Sequence, residues 1–177
     1  MATFRSTTNI FFFTATNLNW VHILKDDFHK NIIIESLRFL CDDKRAKVLG
    51  FVIMPNHIHL IWQILEPHKR WNVQRDFLKY TAQQIKFNLH ENDSSLLDDI
   101  LVRSRDRMCQ IWERNSLSFE LDNPKTLIQK LNYIHNNPLQ EKWNLSSSPE
   151  EYMFSSAKFY EKGADDFGFI THFSEVM

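Results

Sequence analysis

Glycine is scarce in this chain, with three in 177 residues, and only five prolines accompany it. So few backbone punctuators exclude collagen-like and Gly/Pro-rich low-complexity architectures. Cysteine is scarcer still. Cys41 and Cys109 are the only two, far apart and outside any CxxC spacing, which excludes a disulfide framework or a thiolate zinc site and leaves both as packing residues. No window of about 18 uncharged apolar residues occurs, so no membrane span is expected. The N-terminus has no basic segment leading into an apolar stretch and a small-residue cleavage site, so the expected location is the cytoplasm. Excess charge is also missing. The 21 Lys and Arg nearly balance 22 Asp and Glu, for a net charge of −1, which removes the global electrostatic case for nucleic acid. Local basic stretches remain: "HKRWNVQR" offers Lys69, Arg70 and Arg75, and "RSRDR" offers Arg103, Arg105 and Arg107. Such clusters are more often solvated surface than binding sites.

Aromatic residues are plentiful. Fifteen Phe and five Trp, within a hydrophobic content of 43%, suffice for the core of one domain spanning residues 1–177. "NIFFFTATN" (9–17) reads as a buried strand, and "DDFHKNIIIESLRFLCDD" after it has apolar residues at helical spacing with acids at its start. "AKVLGFVIM" and "HIHLIWQIL" read as two antiparallel strands joined at Met54-Pro55-Asn56. In "VQRDFLKYTAQQIKFNLHEN", Phe77, Leu78, Thr81, Ile85 and Leu89 trace one helical face. Residues 93–108, polar and charged, read as a loop, and "QIWERNSLSFEL" has room for a short strand or two. Asp122 or Asn123 caps a helix with Pro124 in its first turn, and this helix, "PKTLIQKLNYIHNN", is predicted to stop at Pro138. The order β-α-β-β-α-β plus one more helix predicts an α+β, ferredoxin-like antiparallel sheet with packed helices.

Two features carry chemistry. His57 and His59 are one residue apart in a strand, so both side chains point to one face while Ile58 points to the other. Such a pair is more often structural and hydrogen-bonded than metal-binding; ligation needs a third donor and a group for the metal to serve. On the last predicted helix, Tyr133 and Asn137 are four apart and share a face if the helix reaches Asn137, while His135 points elsewhere. Alone, a helical Tyr is an ordinary aromatic and an Asn before Pro an ordinary C-terminal cap. Together, two imidazoles and a side-chain oxygen suit a divalent cation with open positions for phosphate and water, with a phenol beside it.

"VIMPNHIHLIW" resembles the His-hydrophobic-His motif of the HUH single-tyrosine transposases, and "LNYIHNNP" resembles the nucleophile helix of their REP-associated tyrosine transposase branch, of the IS200-like group. The resemblance extends over "FFFTATNLNW", "VQRDFLKYTAQQIKFNL", "QIWERNSLS" and "SSAKFY". Departures are "LQEKW" after Pro138, where relatives often carry a more basic, Gly-containing continuation, and a less basic chain overall. The resemblance implies cleavage and joining of single-stranded DNA, with Tyr133 attacking a phosphodiester to leave a 5′-phosphotyrosine and a free 3′-hydroxyl. It implies Mg2+ or Mn2+ held by His57, His59 and Asn137, and recognition of a hairpin with a short sequence beside it. It also implies a monomer, with a dimer that exchanges the tyrosine helix as the alternative.

A free phenol has a pKa of about 10, so its phenolate at pH 7 costs roughly 4 kcal/mol, part of which a nearby cation offsets. The same cation polarises the phosphoryl oxygen and stabilises the leaving 3′-oxygen. Trp71, Trp112 and Trp143 are candidates for base stacking, although core packing is the commoner role of each. Two other readings share these residues: a hairpin-binding module that no longer cuts, and a metal-dependent phosphodiesterase in which water attacks and Tyr133 merely packs.

Overall fold

The computed structural model describes residues 8–104 and 107–177. Strands β1 (Ile10–Thr16), β2 (Ala46–Ile53), β3 (His57–Ile64) and β6 (Leu117–Glu120) form one antiparallel sheet in the order β2-β3-β1-β6. Helix α1 (Asp27–Asp42) connects β1 to β2, and α2 (Arg70–Glu91) precedes a smaller hairpin, β4 (Leu101–Ser104) and β5 (Arg107–Cys109), before β6. This is the expected ferredoxin-like arrangement, with β1 and β3 central because the helical crossover leaves room for β3 between β1 and β2.

Both faces of the sheet are covered. On one, Phe13, Ala15, Ile58, Leu60 and Trp62 pack with Ile33 and Leu37 of α1 and Val73, Phe77 and Ile85 of α2. On the other, Ile10, Phe12, Leu49, Val52 and Ile61 meet Leu127, Leu131 and Ile134 of α4 (Pro124–Asn136). Double coverage explains why β3 reads as a nearly continuous apolar run, since a strand buried on both sides has no polar face to show. Two imidazoles in such a strand are therefore shielded by α4 and its neighbours.

The turn joining β2 and β3 is tight, Met54 N–H donating to the His57 carbonyl at 2.8 Å. Asn123 caps α4: its side-chain oxygen accepts from the N–H groups of Lys125 and Thr126 at 2.8 and 3.3 Å, and Pro124 follows where a missing N–H costs nothing. α4 runs to Asn136, so the helix ends before Pro138 as predicted, and the chain goes on as a 3-10 turn, Asn137–Leu139. Proline ends the α-helical bonding without forcing an extended chain, and Asn137 keeps helical angles of φ −57° and ψ −43°.

Residues 93–104 and 107–108 are not the predicted loop. They hold α3 (Leu96–Asp99) and the β4–β5 hairpin, anchored at its two ends by buried Ile100 and Cys109 and by a 3.0 Å bond from Gln110 N–H to the Ile100 carbonyl. Elements of three or four residues are too short for periodicity to reveal. After α4 the chain closes through α5 (Ala157–Lys162). Among the described residues no helix is long and apolar enough to cross a membrane.

Candidate active site

Strand register determines what surrounds the histidines. β1 pairs with β3 so that Thr14 lies opposite His59 and Thr16 opposite His57. The Thr14 hydroxyl is 2.7 Å from His59 Nδ1. His57 Nδ1 lies 2.8 Å from the Asn56 side-chain oxygen. An amide oxygen can only accept, so His57 carries its proton on Nδ1 and its Nε2 bears the lone pair. Among the described residues neither Nε2 has a hydrogen-bond partner. The two rings are 4.8 Å apart, centre to centre. Burial pushes His57 down to about 4, helped by the charge of Lys142, and burial pushes His59 down to about 3, helped by His57 and Lys130. Both are neutral at physiological pH, the form that binds metal.

α4 lies on the same face. Tyr133 sits 5.4 Å from the His59 ring and 6.4 Å from Phe12, and is 46% exposed, so its ring touches the histidine while remaining open to an incoming ligand. Lys130, one turn earlier on the helix, holds its ammonium 5.5 Å from the Tyr133 ring centre and 5.1 Å from that of Phe12. The opposite side of α4 is fixed by His135, buried, whose Nε2 is 2.8 Å from Ser156 Oγ; that hydroxyl also accepts from Phe51 N–H of β2 at 2.9 Å. Tyr133 and His135, two apart on α4, thus face nearly opposite ways, as helical spacing requires.

Asn137 is 3% exposed and its side-chain oxygen has no hydrogen-bond partner. It opens a compact turn, with Gln140 N–H donating to the Asn137 carbonyl at 3.2 Å and Trp143 N–H to the Gln140 carbonyl at 2.8 Å. Trp143 ends that turn 5.8 Å from the His57 ring. The chain from Asn137 to Trp143 therefore folds back on the histidine side of the sheet.

Of the predicted basic residues, those at the start of α2 lie away from these groups. Lys69 and Arg75 are exposed at the start of α2, Arg75 paired with Asp76 at 2.9 Å. Arg70 donates to Gln74 at 3.3 Å and stacks its guanidinium 5.3 Å from the Phe11 ring, on the α1/α2 face and so across the sheet from Tyr133. Arg103 and Arg107 belong to β4 and β5, and Arg105 lies outside the described residues. Trp112 is core, its indole N–H donating to Thr81 at 3.1 Å, whereas Trp71 is 61% exposed. Among the described residues, Lys130 and Lys142 are the basic residues beside the histidines and the tyrosine, and each stands singly in the sequence, outside any charge cluster. Helical spacing three before Tyr133 was the available signal for Lys130; nothing local pointed to Thr14.

No protein-family model matches the chain, and no curated protein matches it in sequence. Solved structures do. A protein of Deinococcus radiodurans R1 named as a transposase is similar with a TM-score of 0.49 at 13% identity, over 72% of this chain and 88% of its own. A REP-associated tyrosine transposase bound to a REP hairpin is similar with a TM-score of 0.63 at 17% identity, over 100% of this chain and 96% of its own. Along its whole length, therefore, this chain shares the α+β fold of a REP-associated tyrosine transposase.

Proposed function

We propose that this chain is a single-tyrosine DNA strand transferase of the REP-associated, HUH type, cutting single-stranded DNA beside a hairpin and rejoining it through a 5′-phosphotyrosine. The observation that carries this reading is the 5.4 Å contact of half-exposed Tyr133 with His59, in a histidine pair held by its Nδ1 atoms. The hairpin bound to the structural neighbour supports DNA of that shape as the ligand.

The residues fit a divalent cation. Two neutral imidazoles keep Nε2 unclaimed, and a buried amide oxygen without a partner, as at Asn137, is costly unless a ligand meets it. Among the described residues no cluster of three His, Cys, Asp or Glu forms, and this amide is the third donor of the proposed site. His57, His59 and Asn137 make a neutral set, which suits exchangeable Mg2+ or Mn2+ better than tight binding. When bound, the cation polarises the phosphoryl oxygen and stabilises the departing 3′-oxygen.

Tyr133 Oη attacks phosphorus; the new O–P bond forms as the P–O3′ bond breaks, the phenolic proton leaves to solvent and O3′ ends as a hydroxyl. Lys130 supplies a positive charge beside the ring that draws the phosphate to it. Thr14 and Asn56 hold the imidazoles in orientation. Attack by a 3′-hydroxyl on the phosphotyrosine reverses the exchange, so no nucleoside triphosphate is consumed.

The test is a labelled single-stranded hairpin incubated with Mn2+. Wild type is expected to form a denaturant-resistant protein–DNA adduct, and Tyr133→Phe to bind the hairpin without forming it. Cleavage by Tyr133→Phe at the wild-type rate would hand the attack to water, the phosphodiesterase reading. Binding without cleavage by the wild type would leave a silent hairpin-binding module.

A further inference from the structure

Trp20 is unusual for a tryptophan. It is 63% exposed, and both it and Asn19 hold left-handed backbone, with φ of 58° and 53°. Side chains beyond glycine resist that region, and two in succession persist only where surrounding bonds over-determine them. The bonds are present. Trp20 N–H donates to the Asn17 carbonyl at 3.0 Å, Leu18 N–H to the Ile111 carbonyl at 2.8 Å, and Asn19 N–H to Glu113 Oε1 at 2.9 Å. The Asn56 side-chain nitrogen donates to the Trp20 carbonyl at 3.1 Å.

That last bond ties the turn to the candidate site. The same Asn56 amide accepts from His57 Nδ1 at 2.8 Å, so one side chain fixes both an imidazole and the backbone of the exposed tryptophan. Two residues on, the His22 ring is 5.7 Å from Trp143, which is 5.8 Å from His57 and carries the Lys142 ammonium 5.7 Å from its own ring. The turn that carries Trp20, the partly buried Trp143 ring and the Lys142 ammonium thus lie on the His57 side of the pair. Single strands are held by this combination, because every base has a π-face and every phosphate a charge.

We propose that Trp20 is a stacking platform for an unpaired base of the DNA strand whose phosphate meets Tyr133. The inference rests on the strand-transferase reading above. The backbone under the ring is already held in the unliganded chain and loses little freedom on binding, and the tie through Asn56 keeps that turn beside His57. Stacking is tolerant of sequence, so Trp20 positions the strand without reading it.

The experiment uses the full chain and hairpins carrying an unpaired tail with 2-aminopurine placed at one tail position at a time. Wild type is expected to quench the probe at a particular position. Trp20→Ala is expected to lose that quench and to weaken binding of the tailed strand by about 5- to 150-fold, while Trp20→Phe retains most of both. Trp20→Gly, which accepts the left-handed backbone, removes the ring without strain and is expected to behave as Trp20→Ala. Unchanged quench and affinity in Trp20→Ala and Trp20→Gly would overturn the platform while leaving Tyr133 adduct formation standing. A wild-type protein that binds no single-stranded tail would overturn both readings.

Discussion

At the scale of single residues, the two imidazoles are shaped by burial more than by each other. With His57 lowered to about 4 and His59 to about 3 against an ordinary 6.5, the unfolded chain takes up protons before the folded one does. Their contribution to stability is therefore complete above pH 6.5 and lost as pH falls from there toward 4, and buried His135, also lowered to about 4, adds to the same loss. The metal-free melting temperature is expected to fall steadily across this window, and a flat profile from pH 7 to 4 would contradict the burial. The same shifts keep both rings neutral, so Mn2+ titrated at pH 5.5 and followed by calorimetry should still bind, where a solvent-exposed histidine pair would be losing it to protons. His57→Ala or His59→Ala is expected to remove most cleavage at low Mn2+, with partial recovery at high metal. Ile58→Val, trimming a methylene on the α1/α2 face, should cost roughly 0.5 to 1.5 kcal/mol of stability and leave cleavage little changed. If the histidines were only structural, their loss would lower the melting temperature sharply and leave the metal dependence of cleavage unaltered.

At the scale of elements, the placement of Tyr133 depends on how closely α4 approaches β2. Gly50, next to an irregularity in β2 at Leu49, allows this: a Cβ there would overlap Leu131 Cδ2 and fill the remaining space to Ile134 and Ser156. Gly50→Ala is expected to destabilise the fold by about 1 to 3 kcal/mol and to slow adduct formation by more than its unfolded fraction explains, because the buried Leu131 side chain of α4 must give way. Denaturant unfolding alongside adduct yield separates the two effects. Longer elements were legible in the sequence: α1, β2, β3, α2 and α4 all lie where their periodicity put them, and Asn123 caps α4 from one of the two predicted positions. The hairpin of β4 and β5 was not legible, since its ends are anchored by Ile100 and Cys109 through contacts distant in the chain rather than by any local pattern.

At the scale of the whole molecule, His59 and Tyr133 meet within one chain. Complementation between lesions is therefore not expected: mixing His59→Ala with Tyr133→Phe should restore no adduct, whereas a dimer exchanging its tyrosine helices would regain part of the activity. The sequence by itself determined the strand and helix periods, and with them that His57 and His59 share a face and that Tyr133 and His135 do not. Those are local properties, following from backbone geometry over a few residues. Only the tertiary structure decided that the face carrying the histidines is the one α4 covers, that Thr14 lies opposite His59 from 45 residues away, and that Lys130 and Lys142, rather than Arg70 and its neighbours, flank the pair. Pairing register and helix docking are set by the packing of two cores on opposite sides of one sheet, and no stretch of sequence contains both partners of such a contact.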